Sequence, residues 1–112
     1  MAATDDLRTI ALSFPEATEE LHFEKTSFRV NKKIFATAMP GQDRATVKLS
    51  ATDQDAFCTF DSNVIYPVPN KWGKQGWTHI NLKTIQPEML TGILKAAYYE
   101  VAPKHLAAQI LF

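Results

Sequence analysis

The segment Trp72-Gly73-Lys74-Gln75-Gly76-Trp77, preceded by Lys71, holds the densest ligand-binding chemistry in the chain. Indole rings stack on nucleic-acid bases or on other flat ligands, and flanking lysines meet phosphate. Gly73 and Gly76 allow a positive φ or a close backbone approach that a larger residue would block. The same tryptophans can instead be structural, pinning a long loop over a sheet with each indole N–H bonded. Trp77 opens an alternating run, which favours the structural role for it. Lys71, Trp72 and Lys74 remain the candidates for contact with a partner.

A second basic cluster is Asn31-Lys32-Lys33, with Arg29 nearby. A basic two-strand ribbon tip can reach into a nucleic-acid groove or along a phosphate backbone. The turn from Pro40 to Arg44 offers Gln42 and Arg44 as further donors. The plainer role for such lysines is to keep exposed β-edges from aggregating. Charge is zoned along the chain. Residues 24–48 carry six bases and two acids, and residues 62–83 carry three bases and no acid. Acids dominate the flanks, with five in residues 1–23 against Arg8 and three in residues 49–61. Such zoning can steer an anionic partner, or it neutralises itself in three dimensions. A pI of about 6.8 counts against a dedicated DNA-binder, and so few bases predict weak to moderate, salt-dependent binding.

His22, His79 and His105 show neither i, i+4 pairing nor an accompanying cysteine cluster, so no zinc site is expected. His79 shares a strand face with Trp77 and Asn81 and can line a polar surface pocket. It reads more simply as a half-buried histidine. Asp5, Asp6, Glu16, Glu19 and Glu20 can in principle collect a metal, but the first two suit a helix N-terminus and the others read as a turn. Cys58, the lone cysteine, reads as a buried, inert thiol. No nucleophile elbow, phosphate loop or dinucleotide fingerprint is present. Neither enzyme activity nor a cofactor is expected.

The elements that must position these residues follow from periodicity. A helix is expected from Thr4, as N-cap, to Ser13, with Leu7, Ile10, Ala11 and Phe14 on its buried face and Pro15 ending it. Thr26–Val30 and Lys33–Met39 read as strands joined at Asn31-Lys32, since Asn tolerates positive φ. In the second of these, Ile34, Ala36 and Ala38 would share one face and Phe35, Thr37 and Met39 the other. Arg44–Leu49 alternates Ala45, Val47 and Leu49 inward with Arg44, Thr46 and Lys48 outward. Ser50-Ala51-Thr52-Asp53 resembles a capping box opening a helix to Asp61 that would bury Phe57 and Phe60. Residues 62–76 read as an irregular connection, and Trp77–Leu82 as another strand. Pro87 opens a long helix to Val101 with an apolar stripe, and Pro103 a short one carrying Leu106, Ile110 and Leu111. Bunched strands make this an α+β fold, an antiparallel meander packed against N- and C-terminal helices.

At 112 residues the chain suits a single domain, 1–112, with one core. The opening residues lack the basic and apolar regions of a secretory signal, and no apolar run approaches the ~20 residues that span a bilayer. A cytoplasmic location and no membrane partner are therefore expected.

Several segments together resemble the MmcQ/YjbR-like family of small bacterial proteins. They are Ala11-Leu12-Ser13-Phe14-Pro15-Glu16 with its acidic continuation, Phe28-Arg29-Val30, Lys33-Ile34-Phe35-Ala36, Pro69 to Thr78, and Val101-Ala102-Pro103-Lys104. The resemblance covers nearly the whole chain. It implies a compact α+β fold similar to that of frataxin-like proteins. It also implies a double-wing mode of DNA binding, proposed for the family, in which two β-hairpin loops grip a duplex. On that basis Arg29, Lys32, Lys33, Gln42, Arg44, Lys71, Trp72 and Lys74 are the expected DNA-binding residues. The alternative is a protein- or small-ligand-binding module that uses the aromatic loop 66–77 as its interface, with Trp72 exposed beside Tyr66.

Overall fold

The structure, a computed structural model, describes residues 3–22, 25–39 and 43–109. In chain order the elements are α1 (Ala3–Leu12), β1 (Thr18–His22), β2 (Lys25–Val30), β3 (Lys33–Ala38), β4 (Arg44–Lys48), α2 (Ala51–Phe60), β5 (Ile65–Pro67), α3 (Lys71–Lys74), β6 (Trp77–Asn81), α4 (Pro87–Val101) and α5 (Lys104–Ala107). The strands form one antiparallel sheet in the order β1-β2-β3-β4-β6-β5. It is the expected α+β arrangement, with a meander from β1 to β4.

The long helices cover one face. Helix α4 lies across β3 and β4, and α1 lies against α4. Leu7, Ala11 and Phe14 of the N-terminal segment are buried, as are Leu90, Ile93, Leu94, Ala97 and Tyr98 of α4. These meet Phe28, Val30, Ala45, Val47 and Ile80 from the sheet in one hydrophobic core. The Tyr98 hydroxyl donates to the Pro15 carbonyl at 2.6 Å, tying α4 to the end of α1. Helix α1 already includes Ala3, one residue before the expected cap at Thr4.

The structure departs from the sequence reading in four places. Residues 18–22, read as a turn, form the edge strand β1. All the described side chains of β1 are exposed, so no apolar alternation marks it. The connection 62–76 holds the short strand β5 and the single turn α3. Helix α2 starts as expected, with the Ser50 hydroxyl accepting from the Asp53 N–H at 3.1 Å. It packs mainly on the three-residue strand β5, however, and so small a surface leaves Phe60 73% exposed while Phe57 is half-buried.

The fourth difference is a β-bulge. Phe28 pairs with Ala36 but Arg29 pairs with Ile34, so Phe35 is the extra residue. Strict alternation therefore fails in β3. Phe35 and Ala36 both enter the core, and Ile34 is left on the opposite face. Ile110 and Leu111 lie outside the described residues.

Candidate functional site

The face of the sheet away from α1 and α4 is open, and register assembles it. Glu20, Ser27, Thr37, Thr46, His79 and Tyr66 are successive cross-strand partners, forming one polar row across all six strands. Directly paired residues share a face. Arg44 and Asn81 pair on one side of this row, and Lys48 and Trp77 on the other. The face holds a groove of about 340 Å³ whose lining includes Ile34, Val68, Trp72, Trp77 and His79. A smaller cavity of about 30 Å³ adjoins it, lined by Lys25, Thr37, Met39, Arg44, Thr46 and His79. Lys25, Thr37, Thr46 and His79 border both.

His79 sits at the junction. Its Nδ1 lies 2.9 Å from Thr46 Oγ1, and its ring meets Tyr66 edge-on at 5.6 Å. Burial holds the imidazole below its ordinary pKa, and the positive charges of Arg44 and Lys25 push the same way. The neutral ring is thus favoured at neutral pH. His79 is half-buried, the simpler of the two expected readings, and it also shares its face with Trp77 and Asn81 and lines the groove.

The Trp72 end of the groove is built by backbone. Asn70 caps α3, its side chain accepting from the Trp72 N–H at 3.0 Å. Gln54 of α2 braces the loop, its side-chain amide donating to the Gly73 carbonyl at 2.9 Å and the Thr78 hydroxyl at 3.1 Å. A Cβ on Gly73 would lie 1.9 Å from the Val68 carbonyl oxygen. Trp72 is 49% exposed and Lys71 Nζ lies 5.7 Å from its ring centroid, a cation–π distance. Trp77 starts β6 and is half-buried on the open face. The first tryptophan is therefore a groove rim rather than a core anchor.

The expected DNA-binding residues divide into two groups. Asn31 and Lys32 both have positive φ (52° and 68°), as a two-residue I′ hairpin turn requires, and leave Lys32 and Lys33 exposed at the β2–β3 tip. Lys33 and Trp77 line a common groove with Lys48 and Glu100, which places this tip at the same end of the sheet as α3. Arg44 lies at the opposite end, beyond β3, whose six residues span about 20 Å. Gln42 lies outside the described residues. Arg29 is compromised as a free cation. Its Nε donates to the Ser27 hydroxyl at 3.0 Å and its Nη1 lies 4.0 Å from a Glu20 carboxylate oxygen.

The remaining acidic and thiol groups have local roles. Glu19 accepts from Arg8 Nε at 2.7 Å, joining β1 to α1. Among the described residues no three metal-ligating side chains converge. Cys58 is half-buried on α2, and burial together with the Asp55 charge pushes its thiol above the ordinary value.

The groove residues missed by sequence reasoning are Lys25, Ile34, Thr37, Thr46 and Val68. Outward alternation in Arg44–Lys48 and Trp77–Asn81 was the available signal, but register alone brings Thr37 and Lys25 beside them.

The family model described as YjbR matches residues 12–100, most of the chain. The chain belongs to the YjbR family. Its fold is shared by a structure of the Deinococcus radiodurans protein DR2400, which carries the family-model domain DUF419. That structure superposes with a TM-score of 0.75 at 24% identity, covering 87% of this chain and 76% of the other. No curated protein matches. Among the described residues of this YjbR-family chain, no helix is long and apolar enough to cross a membrane.

Proposed function

We propose that this YjbR-family chain is a non-enzymatic binding module for DNA, engaged where the β2–β3 tip and the Trp72 loop share one end of the sheet. The observation that carries the reading is Trp72, half exposed with Lys71 over its ring, at the same end as Lys32 and Lys33. The exposed lysines offer phosphate contacts to a duplex, and the exposed indole a stacking surface for an unpaired base. Lys32, Lys33, Lys71 and Lys74 form no ion pair with a described carboxylate. Because Arg44 lies at the far end, a duplex touching both tips must extend along β3. Glu100 beside Lys48 and Glu20 beside Arg29 limit the cationic area, so binding is weak at moderate salt.

Titrating a short fluorescent duplex at low and moderate salt tests this. Binding at low salt should weaken steeply as salt rises, and the double reversal Lys32→Glu, Lys33→Glu should weaken it by roughly tenfold or more. Undetectable low-salt binding, or indifference to the reversal, removes DNA as the partner.

A second reading, a small-ligand site in the open groove, is favoured by the groove itself. Its 340 Å³ falls in the range of small-molecule pockets, and its walls are mainly indole and aliphatic with few polar groups. Trp72→Ala should then abolish capture of a flat ligand while moving the melting temperature by only a few degrees, because half of this side chain is already in water. A collapse in stability would reassign Trp72 to the core.

A further inference from the structure

We propose that the corner between Lys25, Arg44 and His79 is a seat for one anionic group, so that the groove takes a small ligand with a planar ring at Trp72 and Trp77 and a phosphate at its other end. This rests on the small-ligand reading of the groove and adds the charge and orientation of its occupant.

The two cavities differ in chemistry. The larger shares Lys25, Thr37, Thr46 and His79 with the smaller, but its remaining wall is Ile34, Val68, Trp72 and Trp77, which suits a ring. The smaller, about 30 Å³, has room for a single compact group and is bordered by two cations, two threonine hydroxyls and an imidazole. No carboxylate lines either cavity among the described residues. Neither Lys25 nor Arg44 forms an ion pair with a described carboxylate. Arg44 offers the planar donor fork that suits a phosphate, and Lys25 a mobile point charge.

His79 makes the seat responsive. With Nδ1 engaged by Thr46, Nε2 is the ring nitrogen left to meet an anion. The groups facing the imidazole are Arg44 and Thr46 from β4, Tyr66 from β5, Lys25 from β2 and Thr37 from β3, with Trp77 and Asn81 on its own strand. The ligand-free ring is kept neutral partly by two neighbouring positive charges. An anion between them reverses that balance and stabilises the imidazolium, so binding takes up a proton.

The chain has two tryptophans and both line the groove, so their fluorescence reports on its contents. The probes are AMP, adenosine and inorganic phosphate, titrated into the full chain. AMP should quench the tryptophans and bind at least about tenfold tighter than either fragment, a factor within reach of one charge-assisted contact. Arg44→Ala should weaken AMP by about tenfold and leave adenosine unchanged, because Arg44 lines only the smaller cavity. His79→Gln, which touches both cavities, should weaken AMP more than adenosine. By NMR, saturating AMP should raise the His79 titration midpoint. The Lys32→Glu, Lys33→Glu variant should bind AMP as well as the parent, because neither lysine lines the two cavities and the anion seat lies at the other end of β3.

Equal affinity for AMP and adenosine, or an unmoved His79 midpoint, overturns the anion seat while leaving a groove that takes flat ligands. If neither AMP nor adenosine binds, the seat and the small-ligand reading fall together, and the DNA reading is untouched.

Discussion

Gly76→Ala is expected to destabilise the fold by roughly 3–5 kcal/mol, among the largest effects of any single substitution in this chain. Two independent costs meet at one atom. Gly76 has φ of +106°, a conformation that an L side chain rarely adopts, and an alanine Cβ there would lie 2.0 Å from the Leu49 carbonyl oxygen. The positive φ alone costs about 1–3 kcal/mol. The contact cannot be relieved by a rotamer change, because the obstructing atom is backbone. Moving it apart disturbs the bond from the Leu49 N–H to the Gly76 carbonyl at 2.9 Å, which closes the β4–β6 ladder beside Trp77. The Thr78 hydroxyl also donates to that carbonyl at 3.0 Å, so the disturbance reaches a buried polar group. Urea denaturation checks the value. Gly92→Ala is the internal control, since Gly92 lies inside α4 and its Cβ would meet nothing within 4 Å. That change should stabilise by about 0.5–1 kcal/mol. A loss below about 1 kcal/mol at Gly76 would show that the loop closes differently from the structure described.

Much of this architecture is legible in the sequence wherever an element has one wet and one dry face. Helices α1 and α4 announce themselves by apolar stripes, and Arg44–Lys48 and Trp77–Asn81 by clean alternation, because each is packed on a single side. Strand β1 escapes notice for the opposite reason. At the sheet edge, residues 18–21 are all exposed, so polarity carries no period. Three-residue β5 and four-residue α3 are too short to show a period.

The candidate site was legible in its parts but not in its assembly. Asn31-Lys32 marked a hairpin tip, and the glycines around Trp72 marked a constrained loop. Lys25, Thr37, Thr46 and His79 come from four strands and acquire a common surface only through register. The helix-covered face is a tertiary fact, and so is the pairing that sets Arg29 beside Glu20. The distance separating Lys32 from Arg44, by contrast, comes from counting residues along β3, since two successive turns of a meander must lie at opposite ends of the strand between them.

Phe35→Ala is expected to cost about 3–5 kcal/mol and Ile34→Ala less than about 1.5 kcal/mol, an inequality that only the bulge predicts. Plain alternation would put Ile34 with Ala36 and Ala38, both of them buried, and Phe35 with Thr37 on the other face. The bulge at Phe28/Arg29 reverses the two side chains. Phe35 has no exposed surface and sits between Phe14, at 6.1 Å, and Tyr98, edge-on at 5.5 Å. Removing its ring opens a cavity where α1, α4 and the sheet converge, and the aromatic side chains around it cannot readily collapse to fill it. Ile34 is half-buried in the groove wall, where truncation lets water in without leaving a void. The consequences for ligand binding run the other way. Ile34→Ala should alter tryptophan fluorescence and capture of a flat ligand at near-native stability, whereas Phe35→Ala at a temperature where it remains folded should leave the groove's preference intact. Comparable stability losses at the two positions would restore strict alternation, and with it a different floor for the groove.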